Sequence, residues 1–164
     1  MSLNRNVLSD RRGGKIALVA HCILNQNSRA QGLARQGGAI EKIVTFLMKK
    51  GIGIVQLPCP ELAYAGVPRP PHTKEQYDTT RYRSLCRKLA EDIANQVQGY
   101  EKCGVRLTLI VGVEGSPTCD TNGASGILME ELHRILGEKG IAAPFLAIDT
   151  KHLRHSLDEL GKLL

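Results

Sequence analysis

Three cysteines, Cys22, Cys59 and Cys119, each lie shortly after an apolar run that predicts a buried β-strand. In an open parallel α/β sheet, ligands bind in the crevice beyond the carboxyl ends of the strands. We therefore expect the three thiols to converge on one crevice, although they are far apart in the sequence. Three thiolates can hold a metal centre and still leave one coordination position open, which is the arrangement that a catalytic centre needs.

Soft thiolate ligands favour iron–sulfur clusters, zinc or copper(I). A [4Fe–4S] cluster normally takes four thiolates, so three would leave one iron with a vacant position. Three thiolates and a water molecule also describe a zinc site, and the residue types alone leave both centres open. The remaining cysteines fall on a predicted long helix, Cys86 at a half-buried position and Cys103 near the end, and we interpret both as structural.

Polar residues next to these cysteines are candidates for acid–base chemistry. Glu61 and Glu114 would lie at the same rim and are the candidate general bases, while Ser116 is the candidate hydrogen-bond donor to a substrate. For each of the three, a structural role within its own loop is an equally good interpretation.

Two polar segments supply the candidate substrate-binding residues, which are Asn25, Ser28, Arg29 and Arg69. Arg69 stands between two prolines, where it could bind a substrate anion or pair with a carboxylate such as Glu61, and we favour the pair. His21 directly precedes Cys22, and we interpret it as packing or hydrogen bonding behind the site.

The elements that must position these residues alternate along the chain. Apolar runs predict strands at 15–20, 52–57, 105–113 and 144–148, and helical spacing predicts helices near 40–49, 79–102, 127–137 and 151–164. The segments 21–38, 58–78 and 114–126 are predicted to be loops. This alternation predicts an open, mostly parallel sheet of about four or five strands with helices on both faces, a Rossmann-like α/β fold.

Size and composition favour one enzyme-sized domain. The chain has 164 residues, of which 42% are hydrophobic and 23% charged, so we expect a flexible segment at 1–14 and a single α/β domain at 15–164. No apolar run approaches the roughly 20 residues that cross a bilayer, and no signal-like stretch opens the chain. We therefore expect a cytoplasmic protein without a membrane partner, in which five reduced cysteines form no disulfide framework.

The net charge of +6 attracts anions and makes a non-catalytic RNA-binding or regulatory module an alternative function. Four tyrosines, two phenylalanines and no tryptophan disfavour a stacking platform for single strands. The phosphate-binding glycine motifs of nucleotide enzymes are missing, which disfavours nucleotide cofactors. RNA is thus a possible but not a favoured partner, and the oligomeric state stays open.

Three short elements, in order after Cys22, carry a family resemblance. The segments 59–61 (Cys-Pro-Glu), 66–70 (Gly-Val-Pro-Arg-Pro) and 116–119 (Ser-Pro-Thr-Cys) resemble those of DUF523 proteins and thiouracil desulfurases, over about 15–148. The resemblance implies a [4Fe–4S] cluster held by Cys22, Cys59 and Cys119. It also implies removal of sulfur, as sulfide and without net redox change, from a small thiolated compound such as thiouracil. Such a cluster is expected to be lost in air.

The chain departs from the family pattern in two places, which implies a divergent member. The residues at 23–29 replace a Leu-Leu-Gly-like run with a second cysteine and a Tyr-Asp-Gly, and Val-Glu-Gly at 113–115 stands where the family carries a lysine or arginine. The sequence-based hypothesis is therefore an iron–sulfur desulfurase, with a zinc-dependent hydrolase that uses the same three cysteines as the alternative.

Overall fold

The computed structural model describes residues 9–122 and 125–164. Within them, four strands form one parallel sheet in the order β2-β1-β3-β4. The strands are β1 (Lys15–Val19), β2 (Gly53–Gln56), β3 (Arg106–Val113) and β4 (Phe145–Ile148). The predicted α/β fold is confirmed. Residues 1–8 of the predicted flexible segment, and residues 123–124 of the third predicted loop, lie outside the described residues.

The two central strands carry the core. In β1, the residues from Ala17 to Val19 are fully buried, as are those from Leu109 to Val111 in β3. Because both faces of a central parallel strand are covered, its sequence is a continuous apolar run and not an alternating one. This continuity is the reason that the apolar runs predicted these strands correctly.

Helices cover both faces of the sheet, as the alternation predicted. The helices of the described residues are α1 (His21–Leu24), α2 (Glu41–Lys49), α3 (Pro60–Ala65), α4 (Lys74–Tyr77), α5 (Thr80–Lys102), α6 (Ile127–Glu138) and α7 (Leu153–Leu163), with a 3-10 turn at Gln26–Ser28. Helix α2 packs against α7, and α5 packs against α6. Right-handed crossovers explain this pairing, because the chain leaves β1 toward one edge of the sheet but leaves β2 and β3 toward the other.

The reversal of direction creates a crevice beside β1. The chain turns from β1 to β2 on one side and from β3 to β4 on the other, so the segments that follow β1 and β3 diverge. Such a switch point, at the carboxyl ends of the strands, is where open α/β sheets bind their ligands.

Two of the predicted loops contain helices, so the prediction was wrong there. The segment 21–38 contains α1 and the 3-10 turn, and the segment 58–78 contains α3 and α4. Pro60 occupies the first turn of α3, where its missing N–H costs nothing, and the side chains of Thr73 and Gln76 form a capping box at α4. Pro60 therefore starts a helix instead of preventing one, while Pro68, Pro70 and Pro71 lie in the non-helical segment between α3 and α4.

The long helix α5 has the predicted limits. The hydroxyl of Thr79 accepts a hydrogen bond from the N–H of Tyr82 at 3.2 Å, and Gly104 follows the helix with φ of 81°. Cys103 is exposed beside this end, whereas Cys86 is fully buried and not half-buried as predicted. Neither α5 nor any other helix of the described residues combines the length and the apolar character needed to cross a membrane.

Candidate cysteine-lined active site

A cavity of about 500 Å³ opens at the carboxyl ends of the strands. Its wall contains Cys22, Cys59 and Cys119, which come from the segments after β1, β2 and β3. These three strands are neighbours in the sheet, so their ends meet at one edge. The predicted juxtaposition of the three cysteines in one crevice is therefore present in the structure.

Short helices position two of the thiols. Cys22 lies in the first turn of α1, directly after β1. Cys59 is the N-cap residue of α3, and its Sγ accepts a hydrogen bond from the N–H of Leu62 at 3.4 Å. A helix N-terminus favours negative charge, so this position suits a thiolate.

A folded-back loop positions the third thiol. The N–H of Cys119 donates to Ser116 Oγ at 3.0 Å, and the carbonyl of Cys119 accepts from the N–H of Val113 at 2.9 Å. The neighbouring Thr118 shares a buried hydrogen bond of 2.7 Å with the hydroxyl of Tyr82 on α5. These bonds hold Cys119 against the end of β3.

Gly112 on β3 allows the backbone of Cys119 to pack closely against the strand. A Cβ atom at position 112 would lie 2.0 Å from the carbonyl oxygen of Cys119, which is far inside van der Waals contact. We expect Gly112→Ala to lower the free energy of unfolding by about 3 kcal/mol, because backbone must move to relieve the overlap. Denaturant unfolding of the cluster-free, reduced protein measures this change.

The control for this substitution is Gly99→Ala. Gly99 is exposed on α5 and has no atom within 4 Å of its Cβ position, so alanine should stabilise the helix by up to about 1 kcal/mol. Equal effects of the two substitutions would show that the loop does not depend on the absence of a side chain at 112.

The three thiols share one electrostatic environment. Burial raises the pKa of the Cys22 thiol to about 11, against an opposing contribution from Arg29. Burial also raises the pKa of Cys59, and it raises the pKa of Cys119 well above its ordinary value, with further contributions from the other two thiols. The thiols are therefore close enough to repel one another when ionised, and binding of a metal centre must release their protons.

The three thiols form a soft donor set, which fits an iron–sulfur or zinc centre. Within residues 9–122 and 125–164, no three His, Cys, Asp or Glu side chains are grouped so that they could hold a single metal ion. The three soft thiols nevertheless line one cavity with room beside them. Three soft thiols in one cavity wall fit an iron–sulfur cluster, in which each thiolate would bind a different iron.

Arg69 and Glu61 form a buried pair beside the thiols, which agrees with the favoured interpretation of Arg69. Arg69 Nε and Nη2 both approach Glu61 Oε2 at 3.4 Å. Nη2 also donates to the carbonyl of Ser28 at 2.8 Å, and Nη1 donates to the carbonyl of Gly66 at 2.9 Å. The guanidinium thus joins the loop after β1 to the segment after α3. Both contacts to Glu61 fall on Oε2, so Oε1 is left for a ligand in the cavity.

Ser116, Glu114 and His21 also lie in the cavity wall. Ser116 Oγ accepts two backbone N–H groups, at 3.0 and 3.3 Å, so its own proton is available to a ligand. Glu114 is exposed. The side chain of Gln56 donates to His21 Nδ1 at 2.8 Å, which leaves the ring proton on Nε2, and burial lowers the pKa of His21.

The structure does not bring Asn25 and Ser28 into the cavity wall. Asn25 Oδ1 accepts from the backbone and side chain of Asn27 at 3.1 and 3.0 Å, and the hydroxyl of Ser28 donates to the carbonyl of Asn25 at 2.7 Å. Arg29, the next residue, does line the cavity. The hydrogen bonds of Asn25 and Ser28 thus lie within the loop and stabilise its conformation.

The sequence analysis missed the residues that follow β4. Asp149, Thr150 and Lys151 line the cavity, and so do Arg35 and His72. The first three could have been found by the rule that placed the cysteines, because they also follow the carboxyl end of a strand. His72 is exposed, and its ring lies 5.2 Å from that of the buried Tyr77.

The comparisons with known proteins agree with this site. Residues 15–132 match the sequence pattern of the family described as "Putative 2-thiouracil desulfurase", and this range contains all three cavity cysteines. The uncharacterized protein MJ0003 of Methanocaldococcus jannaschii is 50% identical over 123 residues, which cover 75% of this chain and 78% of the relative. No solved structure matches the chain. With more than half of its length matched, the chain belongs to the putative 2-thiouracil desulfurase family.

Proposed function

We propose that the protein is an iron–sulfur-dependent desulfurase that replaces the sulfur of a small thiolated compound with oxygen from water. In the overall reaction, a C=S bond and water become a C=O bond and hydrogen sulfide, so no electrons are transferred. The observation that carries this proposal is the cavity lined by three thiols from three adjacent strands, in a member of this family. Such a reaction fits the reducing cytoplasm, where thiols stay free.

Cys22, Cys59 and Cys119 would hold a [4Fe–4S] cluster and leave its fourth iron open. When bound, the cluster supplies a Lewis acid for a sulfur atom. Zinc is the alternative centre, in which three thiolates at about 2.3 Å from one ion need sulfurs within about 4.6 Å of one another.

The side chains of the wall supply the groups for hydrolysis. Glu61 is the candidate base, because Arg69 fixes one of its oxygens and leaves the other to take a proton from water. Ser116 is the candidate donor, since its hydroxyl can hydrogen-bond to a heteroatom of the substrate as negative charge develops. Glu114 also lines the cavity but is exposed, so water competes with a substrate for it.

RNA recognition by base stacking has little support in the aromatic residues. Tyr77 and Tyr82 are buried and stack on each other with ring centres 4.7 Å apart. Tyr64 is exposed, but its ring packs edge-on against both of these tyrosines. We therefore keep a small thiolated molecule as the proposed substrate.

The function is tested by sulfide release from a panel of thiolated bases and thioamides. The protein is loaded with iron and sulfide without air, and released sulfide and the oxygen-containing product are measured together. We expect one equivalent of sulfide for each product molecule, with no added reductant or oxidant. Release that is equal for the wild type and Cys119→Ala, or absent with every compound, would contradict the proposal.

A further inference from the structure

Arg29 is a half-buried cation in the wall of the cavity, and one nitrogen of its guanidinium has no partner in the described part of the chain. Its Nη1 atom is inaccessible to solvent and makes no hydrogen bond within the described residues. The side chain lines the same cavity as the thiols and lies close enough to Cys22 to act on its charge. A buried donor of this kind is costly to leave unpaired, so it points to a ligand.

Of the described residues, none of the three acidic ones in the wall (Glu61, Glu114 and Asp149) accepts a hydrogen bond from Arg29 Nη1. Glu61 faces Arg69, whose guanidinium is engaged with three acceptors. Asp149 accepts hydrogen bonds from the backbone of Lys151 and shares one with the ring of His152. Arg35 and Lys151 also line the cavity but are exposed, so among the described residues Arg29 is the cation of the wall with an inaccessible, unpaired donor atom.

We propose that Arg29 binds a carboxylate of the substrate, so that the preferred substrate is a thiolated carboxylic acid. This inference rests on the proposed function and names its substrate class. A planar guanidinium matches a planar carboxylate with two parallel hydrogen bonds, and one positive charge balances one negative charge. A phosphate monoester carries nearly two negative charges, and the other cations of the wall, Arg35 and Lys151, are exposed to water.

Binding is measured by calorimetry on the cluster-loaded protein, with uracil-5-carboxylate and uracil as product-like probes. We expect the carboxylate to bind the wild type more tightly than uracil, and Arg29→Gln to weaken only the carboxylate, by about 10- to 100-fold. Arg29→Lys should restore part of the loss. The exposed Arg106, at the opposite end of the sheet, provides the control Arg106→Gln, which removes the same charge and should leave both affinities unchanged.

Turnover separates this inference from the proposed function. We expect the kcat/KM for 2-thiouracil-5-carboxylate to exceed that for 2-thiouracil in the wild type, and the difference to vanish in Arg29→Gln. Equal losses for both probes, a preference for a thiolated nucleoside monophosphate, or loss of iron from Arg29→Gln would overturn the inference. If no compound releases sulfide, the proposed function fails, while selective binding of the carboxylate probe would still support the role of Arg29.

Discussion

Cys119→Ser is expected to abolish binding of the iron–sulfur centre and to lower sulfide release by at least about 100-fold. Cys119 is buried at the cavity, and oxygen is a harder and smaller ligand than the sulfur that iron prefers. Mutation of residues that only orient metal ligands typically lowers metal affinity or activity by about 10- to 100-fold. The loss of a ligand itself should lower them by at least as much. Iron content, acid-labile sulfide and the rate of sulfide release are measured on the same anaerobic preparations.

The matched control is Cys103→Ser. Cys103 is exposed at the end of α5 and is absent from the cavity wall, so its replacement should change neither iron content nor rate. If Cys119→Ser kept the iron content and rate of the wild type, the cavity thiols would have no role as ligands.

Arg69→Met is expected to lower the free energy of unfolding by about 4 kcal/mol, because it removes one partner of a buried ion pair. Glu61 would stay behind with its charge unpaired, and the carbonyls of Ser28 and Gly66 would lose their donors. Of the bonds between the loop after β1 and the segment after α3, the one from the guanidinium to Ser28 would be lost, while the backbone bond from Gln31 N–H to the carbonyl of residue 69 would stay. Denaturant unfolding of the cluster-free, reduced protein measures the change.

Two further variants serve as controls for the stability loss expected of Arg69→Met. Lys162→Met removes an exposed ion pair with Glu159 and should cost less than about 1 kcal/mol. The double variant Arg69→Met with Glu61→Gln should recover part of the lost stability, since no carboxylate is then left buried without its partner. A cost for Arg69→Met no greater than that for Lys162→Met would mean that the buried pair does not stabilise the fold.

The fold could be predicted because its central strands are buried on both faces. A continuous apolar run is then the physical requirement for a strand such as β3, and the helices between runs show the spacing of an amphipathic surface. The position of the cysteines followed from the same reasoning. Once the strands are parallel, the residues after Val19, Gln56 and Val113 must meet at one edge.

Details that depend on contacts across the chain could not be predicted. Helix α3 begins at Pro60 because Cys59 caps it, and the sequence around them is equally compatible with a loop. Asn25 was placed in the substrate pocket by its polarity, yet its oxygen is used within its own turn. The unpaired state of Arg29 is visible only when the position of every neighbouring carboxylate is known.

The most direct test is the metal content and Mössbauer spectrum of the protein loaded with iron-57 and sulfide without air. The account predicts about four iron and four sulfide atoms per chain, with one iron distinct from the other three because no thiolate binds it. The variant in which Cys22, Cys59 and Cys119 are all replaced by serine should take up no cluster. One zinc per chain with no uptake of iron, or an unchanged cluster in the triple variant, would contradict the account.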